Sequence, residues 1–291
     1  MTTPAQPIFP PLNKEAIQLL IRLGLAEDFA HGPDATSVAT IDMDAVLTAQ
    51  VVPRQDGTVA GIDVVGWTMR EISPAVDVSV HAADGDRVTA GDCLATVSGP
   101  ARAILSAERT ALNLLTYASG IATATSAWTE VISDTRARVR DSRKTLPGYR
   151  DLAKYAVRCG GGVNHRMSLG DAALIKDNHV ASVGSAADAY RRTANAFPGL
   201  PLEVEVDDLD QLTEVLELKP TLVMLDNFEV EDTRVAVARR DALSPATMLE
   251  SSGGLTLDRA RAYADTGVEF LAVGALTHSV TILDIGLDAL T

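Results

Sequence analysis

Ten of the chain's 25 Lys and Arg residues fall between Arg136 and Lys176. They are Arg136, Arg138, Arg140, Arg143, Lys144, Arg150, Lys154, Arg158, Arg166 and Lys176, opposed only by Asp141, Asp151 and Asp171. Ten cations against three carboxylates leave this window at +7, in a protein of formal net charge -14. Such an island adds nothing to solubility, but a pocket for a polyanion needs one. Adjacent Arg143 and Lys144 offer a two-pronged planar donor beside a compact point charge. His165 and Arg166 add donors after Gly160-Gly161-Gly162. No Gly-Lys-Ser/Thr follows those glycines, so they are not a phosphate loop. They are expected to let the backbone pass close to a ligand or a neighbouring strand.

Carboxylates gather further along. Glu203 and Glu205 stand two apart on a predicted strand and so share a face, and Asp226 ends the next strand. Three carboxylates among Lys and Arg suit a hard cation such as Mg2+, held directly or through its waters. They suit equally well the role of charge partners to Lys144 and Lys176, and spacing leaves both readings open. Ser251-Ser252-Gly253-Gly254 precedes a predicted helix and offers hydroxyls and backbone N–H groups to a phosphate. Val273-Gly274-Ala275 is a second small-residue turn one strand later, with His278 closing that segment. His31, His81, His165, His179 and His278 have no metal-ligand spacing. Neither a Gly-x-Ser-x-Gly elbow nor a Cys/His nucleophile is present, so covalent catalysis is not suggested.

These groups need elements to hold them. Residues 1–12 are Pro-rich and read as an arm, and Asn13–Asp28 has a helical apolar stripe. Leu47–Val52, Val59–Val64, Val76–His81 and Leu94–Val97 are short runs separated by turns, the pattern of a small, mostly antiparallel sheet. Asp84–Leu94 is similar to a carrier-domain turn but lacks the Lys that would bear a cofactor. Ser106–Ile132 predicts a long helix. Strands are then expected at Ala137–Asp141, Ala172–Lys176, Leu202–Val206, Thr221–Leu225, Thr247–Glu250 and Glu269–Val273, with helices between the later ones. Apolar strands that end repeatedly in charged or Gly-rich residues predict a partial (β/α) barrel whose C-terminal mouth is the site.

Bulk properties narrow the partners. An acidic chain is repelled by nucleic acid and by anionic membranes. The only cysteines, Cys93 and Cys159, do not make a disulfide framework. No run approaches a membrane span, and the first residues lack a basic segment followed by an apolar one. The expectation is a soluble cytoplasmic protein.

The ordered series Glu108–Asn113, Ser142–Thr145, Gly161–Arg166, Ile175–His179, Glu203–Val206, Met224–Asn227, Glu250–Gly254 and Val273-Gly274 resembles the quinolinate phosphoribosyltransferases. These enzymes are also called carboxylating nicotinate-nucleotide pyrophosphorylases. The resemblance implies an N-terminal open α/β sandwich over residues 1–120, joined by 279–291, and a barrel of about six parallel strands over 121–278. It implies transfer of a phosphoribosyl group from phosphoribosyl pyrophosphate to quinolinate with loss of CO2, in NAD biosynthesis, with Mg2+ as cofactor. Arg109, Arg143, His165, Arg166 and Lys176 would take quinolinate, with Ser142 beside them. Lys144, Glu205 and Asp226 would be catalytic, the last two holding Mg2+. Ser252, Gly253, Gly254 and Gly274 would hold the 5′-phosphate, and Ala275 and His278 would also be substrate-binding. A homodimer, or a hexamer, is implied, with Arg109 completing the partner's site. Two rivals remain: a related transferase acting on another acid such as nicotinate, and a non-catalytic metabolite-binding regulator on the same fold.

Overall fold

The computed structural model describes residues 10–290, so residues 1–9 of the expected arm lie outside the described residues. The chain divides into two compact units. The first runs through Ser126 and adds Thr145–Gly161 and the chain from Leu276 on; the second comprises Ala127–Lys144 and Gly162–Ala275.

In chain order the first unit opens with α1 (Lys14–Asp28) and α2 (Ala35–Thr40). Asn13 and Asp34 cap them, each accepting a backbone N–H of the first turn. Next come β1 (Val46–Pro53), β2 (Gly57–Thr58), α3 (Asp63–Ile72), β3 (Asp77–Val80), β4 (Arg87–Val88), β5 (Ala95–Pro100) and the long α4 (Ala101–Val131). The first strand of the second unit is β6 (Arg138–Arg140), and α5 (Arg150–Cys159) returns to the first unit. After α5 the second unit alternates: β7 (Ala173–Ile175), α6 (Asp177–Val183), α7 (Ala186–Ala196), β8 (Leu202–Val206), α8 (Leu209–Leu216), β9 (Leu222–Asp226), α9 (Val230–Leu243), β10 (Met248–Ser252), α10 (Leu257–Ala264) and β11 (Phe270–Ala272). A short α11 (Ala275–His278) and β12 (Ile285–Ala289) finish the chain.

The first unit is built on an antiparallel sheet of order β12-β1-β5-β3. Its apolar face packs on α3 and α4 through Val51, Val97, Met69, Ile104 and Leu115, all essentially buried. The stripe of α1 packs in a second cluster with Leu114 and Ile121 of α4 and Leu152 and Ala156 of α5. That cluster corrects one expectation. Residues 145–161 group with the first unit rather than with the barrel, because α5 buries its apolar side there. Val59–Val64 is the second correction. Gly61 takes φ +80, and α3 begins at Asp63, so this β-branched run turns instead of forming a strand.

The second unit is a six-stranded parallel sheet of order β6-β11-β10-β9-β8-β7. Sequential strands pair side by side, as in a barrel, and the two edges are β6 and β7. Val163 adds one parallel rung to the free side of β6, opposite Arg140. Both sheets and the six-strand count match the sequence reading.

Candidate active site

Strand alternation decides which side chains face the inside of the second unit. Val204, Val223, Leu225 and Leu249 are fully buried and alternate with a polar set. The register puts Glu205, Met224, Glu250 and Phe270 in one row across β8–β11, and Asp226 beside Ser252 one step further along. The polar residues therefore converge toward the C-terminal ends of the strands.

Cations come from the loops after β6 and before α6. Arg166 donates through Nη1 to the Ala172 carbonyl at 2.9 Å. Partial burial lowers its pKa, and the neighbouring Arg143 guanidinium lowers it further, with Asp171 and Glu203 opposing. Two guanidiniums held within each other's field in a half-buried place favour an anion between them. Lys176, the N-cap of α6, pairs with Glu205. Lys144 is exposed, and its backbone N–H donates to Ser142 Oγ at 3.1 Å. The segment after Arg166 is tied by Asp171, which accepts from the Met167 and Ser168 backbone N–H groups. Burial raises the Asp171 pKa, but those bonds outweigh it and hold the carboxyl at about 2. Arg150, Lys154 and Arg158 lie on α5 in the first unit, so the cationic window divides between the units. Arg136 turns to Glu269.

Beneath these cations sits a buried ionisable group. His165 Nδ1 accepts the Arg166 backbone N–H at 2.7 Å, so a neutral ring carries its proton on Nε2. Nε2 lies 2.8 Å from Glu203 Oε2 and 3.7 Å from Glu250 Oε1. Glu250 is 0% exposed, and its other oxygen accepts from Arg140 Nη1 at 2.6 Å. Arg140 in turn lies over the Phe270 ring at 4.6 Å. Asp141 anchors the loop, accepting from the His165 backbone at 2.8 Å and from Asn164 Nδ2. Burial pushes Glu203 up to about 7 against the pull of Arg140, Lys176 and Arg166. Burial and the charge of Glu203 push Glu250 up to about 7 as well. Glu203 Oε1, Glu250 Oε1 and Ser251 Oγ are buried with no hydrogen-bond partner.

An acidic group lies at the strand ends. Glu205, Asp207 and Asp226 each offer an oxygen within 4.8 Å of the others. An all-carboxylate donor set fits a hard divalent cation, so these residues fit Mg2+. Glu203 belongs instead with His165 and Glu250, a different grouping from the three carboxylates read in the sequence. Next to Asp226, Asn227 takes φ 55 and its N–H donates to the Ser252 carbonyl at 2.9 Å. A Cβ on Gly253, at φ +93, would stand 2.7 Å from Asn227 Cγ, so only glycine fits. Gly254 has open space around it, as a backbone cradle for a ligand requires. One cavity of about 410 Å³ borders Asp207, Asn227 and Arg239, and another of about 350 Å³ borders Arg166, His179 and Arg192.

The second unit thus carries Ser142, Arg143, Lys144, His165, Arg166, Lys176, Glu205, Asp226, Ser252, Gly253 and Gly254 on its loops and strand ends. Gly274 and Ala275 follow β11. Arg109, exposed on α4, and His278, whose Nδ1 is 2.6 Å from Ser279 Oγ, belong to the first unit. Sequence reasoning passed over Arg140, Asp141, Asp207 and Glu250 as site residues. For Arg140 and Glu250 the signal was present: each is a charge within a predicted strand of an otherwise buried sheet.

A parallel barrel-like sheet with a cationic rim, an acidic group and a Gly-Gly turn defines a site for phosphorylated, multiply charged substrates. The chain belongs to the quinolinate phosphoribosyltransferase family: the model of the family's N-terminal domain matches residues 34–119 and that of its C-terminal domain residues 121–288. A nicotinate-nucleotide pyrophosphorylase [carboxylating] of Mycobacterium leprae is 54% identical over 277 residues, covering 94% of this chain and 97% of that protein. A probable nicotinate-nucleotide pyrophosphorylase [carboxylating] of Bacillus subtilis is 37% identical, covering 95% and 94%. The solved nicotinate-nucleotide pyrophosphorylase of Francisella tularensis superposes with a TM-score of 0.90 at 36% identity, over 97% of this chain and 100% of that one. The human nicotinic acid phosphoribosyltransferase, at 13% identity and TM-score 0.60, shares the fold alone.

Proposed function

We propose that this protein converts quinolinate and phosphoribosyl pyrophosphate into nicotinate mononucleotide, pyrophosphate and CO2, a step of NAD biosynthesis. The observation that carries the reading is the pair of guanidiniums, Arg143 and Arg166, held in each other's field, with Arg166 and Lys176 both acting on the buried Glu203. A dicarboxylate relieves that repulsion better than a monocarboxylate. Arg143, Arg166 and Lys176 bind and orient the two carboxylates, with His165 and Ser142 beside them. The Ser252-Gly253-Gly254 turn, with Gly274 and Ala275, takes the 5′-phosphate through backbone N–H groups.

The ring nitrogen of quinolinate then attacks the anomeric carbon of the ribose as the bond to pyrophosphate breaks. Lys144 stabilises the leaving oxygens, and carboxylates near the ribose stabilise its oxocarbenium-like character. Glu205 and Asp226, with Asp207, would hold Mg2+, which when bound offsets the charge of pyrophosphate. Alkylation makes the ring nitrogen positive. The adjacent carboxylate leaves as CO2, and its carbon takes a proton from water. No protein acid or base is required for that step.

Arg109 stands exposed on α4 and fits the role of a residue lent to a second copy of the chain. The assembly proposed is a homodimer, with a hexamer as its larger form. The location proposed is the cytoplasm; no described helix is long and apolar enough to cross a membrane. The test supplies the protein with phosphoribosyl pyrophosphate, Mg2+ and either quinolinate labelled in the carboxylate next to nitrogen, or nicotinate. Labelled CO2 and nicotinate mononucleotide are expected from quinolinate alone. A nucleotide formed from nicotinate, with none from quinolinate, would overturn the assignment.

A further inference from the structure

The buried group under the cationic rim holds more carboxylate than its donors can use. Arg140 satisfies one oxygen of Glu250, and the His165 ring approaches Glu203 more closely than Glu250. One oxygen of each glutamate is left buried without a hydrogen-bond partner, a costly arrangement for two full charges. The groups facing Glu250 from the packed elements are Arg140 of β6, His165 of the loop before β7 and Glu203 of β8. From β9 and β11 its row neighbours are the apolar Met224 and Phe270. His165 cannot absorb a second proton without giving up the Arg166 backbone bond at Nδ1. A carboxylate can take a proton at the cost of no such bond. Glu250, fully buried, has an open oxygen to receive it.

We propose that Glu250 sets the affinity of the rim for its dicarboxylate by taking up a proton when that ligand binds. The inference rests on the reading of quinolinate as the substrate. Ionised, Glu250 claims the charge of Arg140 and adds to that of Glu203, which shares the field of Arg166 and Lys176. Protonated, it removes one negative charge from beneath the ligand, and Oε1 gains a hydrogen to donate toward its neighbours. Quinolinate itself does not titrate near neutrality, so an uptake belongs to the protein.

The experiment is titration calorimetry of the intact protein with quinolinate alone, near pH 6, 7 and 8, in buffers of differing ionisation heat. The wild type should take up a fraction of a proton that grows toward pH 8, and its affinity should fall over that range. Glu250→Gln should show no uptake and bind on the order of tenfold more tightly than the wild type near pH 8, the effect of one charge a few ångströms off in a partly buried site. The infrared band of a protonated carboxyl should grow when quinolinate is added to the wild type, which keeps the test decisive if the variant does not fold. Binding without proton uptake in the wild type, or uptake that persists in Glu250→Gln, would overturn this inference. Failure of quinolinate to bind at all would instead count against the substrate reading.

Discussion

Arg143 and Arg166 share one task in the proposed mechanism, and removing either has a definite expected cost. Arg143→Ala loses a charge-assisted contact, worth about 1.5–3 kcal/mol. Quinolinate kcat/KM should fall roughly 10- to 150-fold, mostly through KM, with the KM for phosphoribosyl pyrophosphate little changed. Steady-state kinetics with each substrate varied decides, and an unchanged quinolinate KM would remove Arg143 from the site. Glu203 and Glu250 make a second prediction, on stability. Burial holds both at about 7 in the folded protein, against 4.5 for an unperturbed glutamate. Between those values the folded state keeps protons that the unfolded state has released. Their contribution to stability is therefore full below about pH 4.5 and is lost as pH rises through about 7. Thermal melts should show Glu250→Gln flattening that slope, and a slope as steep as the wild type's would show that Glu250 does not titrate there. The rim cations were legible from residue type alone, because a basic cluster in an acidic chain has few explanations. The buried group of His165, Glu203 and Glu250 was not, since which carboxylate meets which cation depends on strand register. Asp207 was missed for a related reason: it lies past the end of β8, where alternation no longer predicts direction.

Gly253 shows how an element end makes a site. The β10 strand delivers Ser252 beside Asp226, and the chain must then turn under Asn227. Gly253→Ala places a Cβ against Asn227 at positive φ and should cost at least ~1 kcal/mol of stability. It should also raise the KM for phosphoribosyl pyrophosphate more than that for quinolinate. Melting and kinetics on the same preparation test this, and equal effects on both substrates would separate the turn from the phosphate. The parallel strands could be read from their apolar runs and charged ends, within a residue or two of the observed limits. Val59–Val64 could not, because its apolar residues suit a buried strand while the turn depends on Gly61 alone, at φ +80. The grouping of α5 with the first unit was hidden for a different reason. Its apolar side matches any apolar partner, and only the folded clusters reveal that the partners are α1 and α4.

Net charge at the scale of the whole molecule hides its chemistry. A total of -14 repels polyanions in general, while one loop-built rim attracts two of them. High salt should weaken quinolinate binding measurably, because the rim is only half-buried. The proposed exchange of Arg109 between copies predicts complementation. Arg109→Ala and Lys144→Ala proteins, each inactive alone, should recover up to about one quarter of wild-type activity when mixed and re-associated at equal amounts. No recovery from demonstrated mixed dimers would show that each site is complete within one chain. The central claim is that Arg143, Arg166 and Lys176 together neutralise the two carboxylates of quinolinate. The most direct measurement is the structure of the quinolinate complex. The account predicts both carboxylates in charge-assisted contact with these three side chains, at about 2.7–2.9 Å. Quinolinate bound elsewhere, with the two guanidiniums still facing each other across solvent, would contradict it.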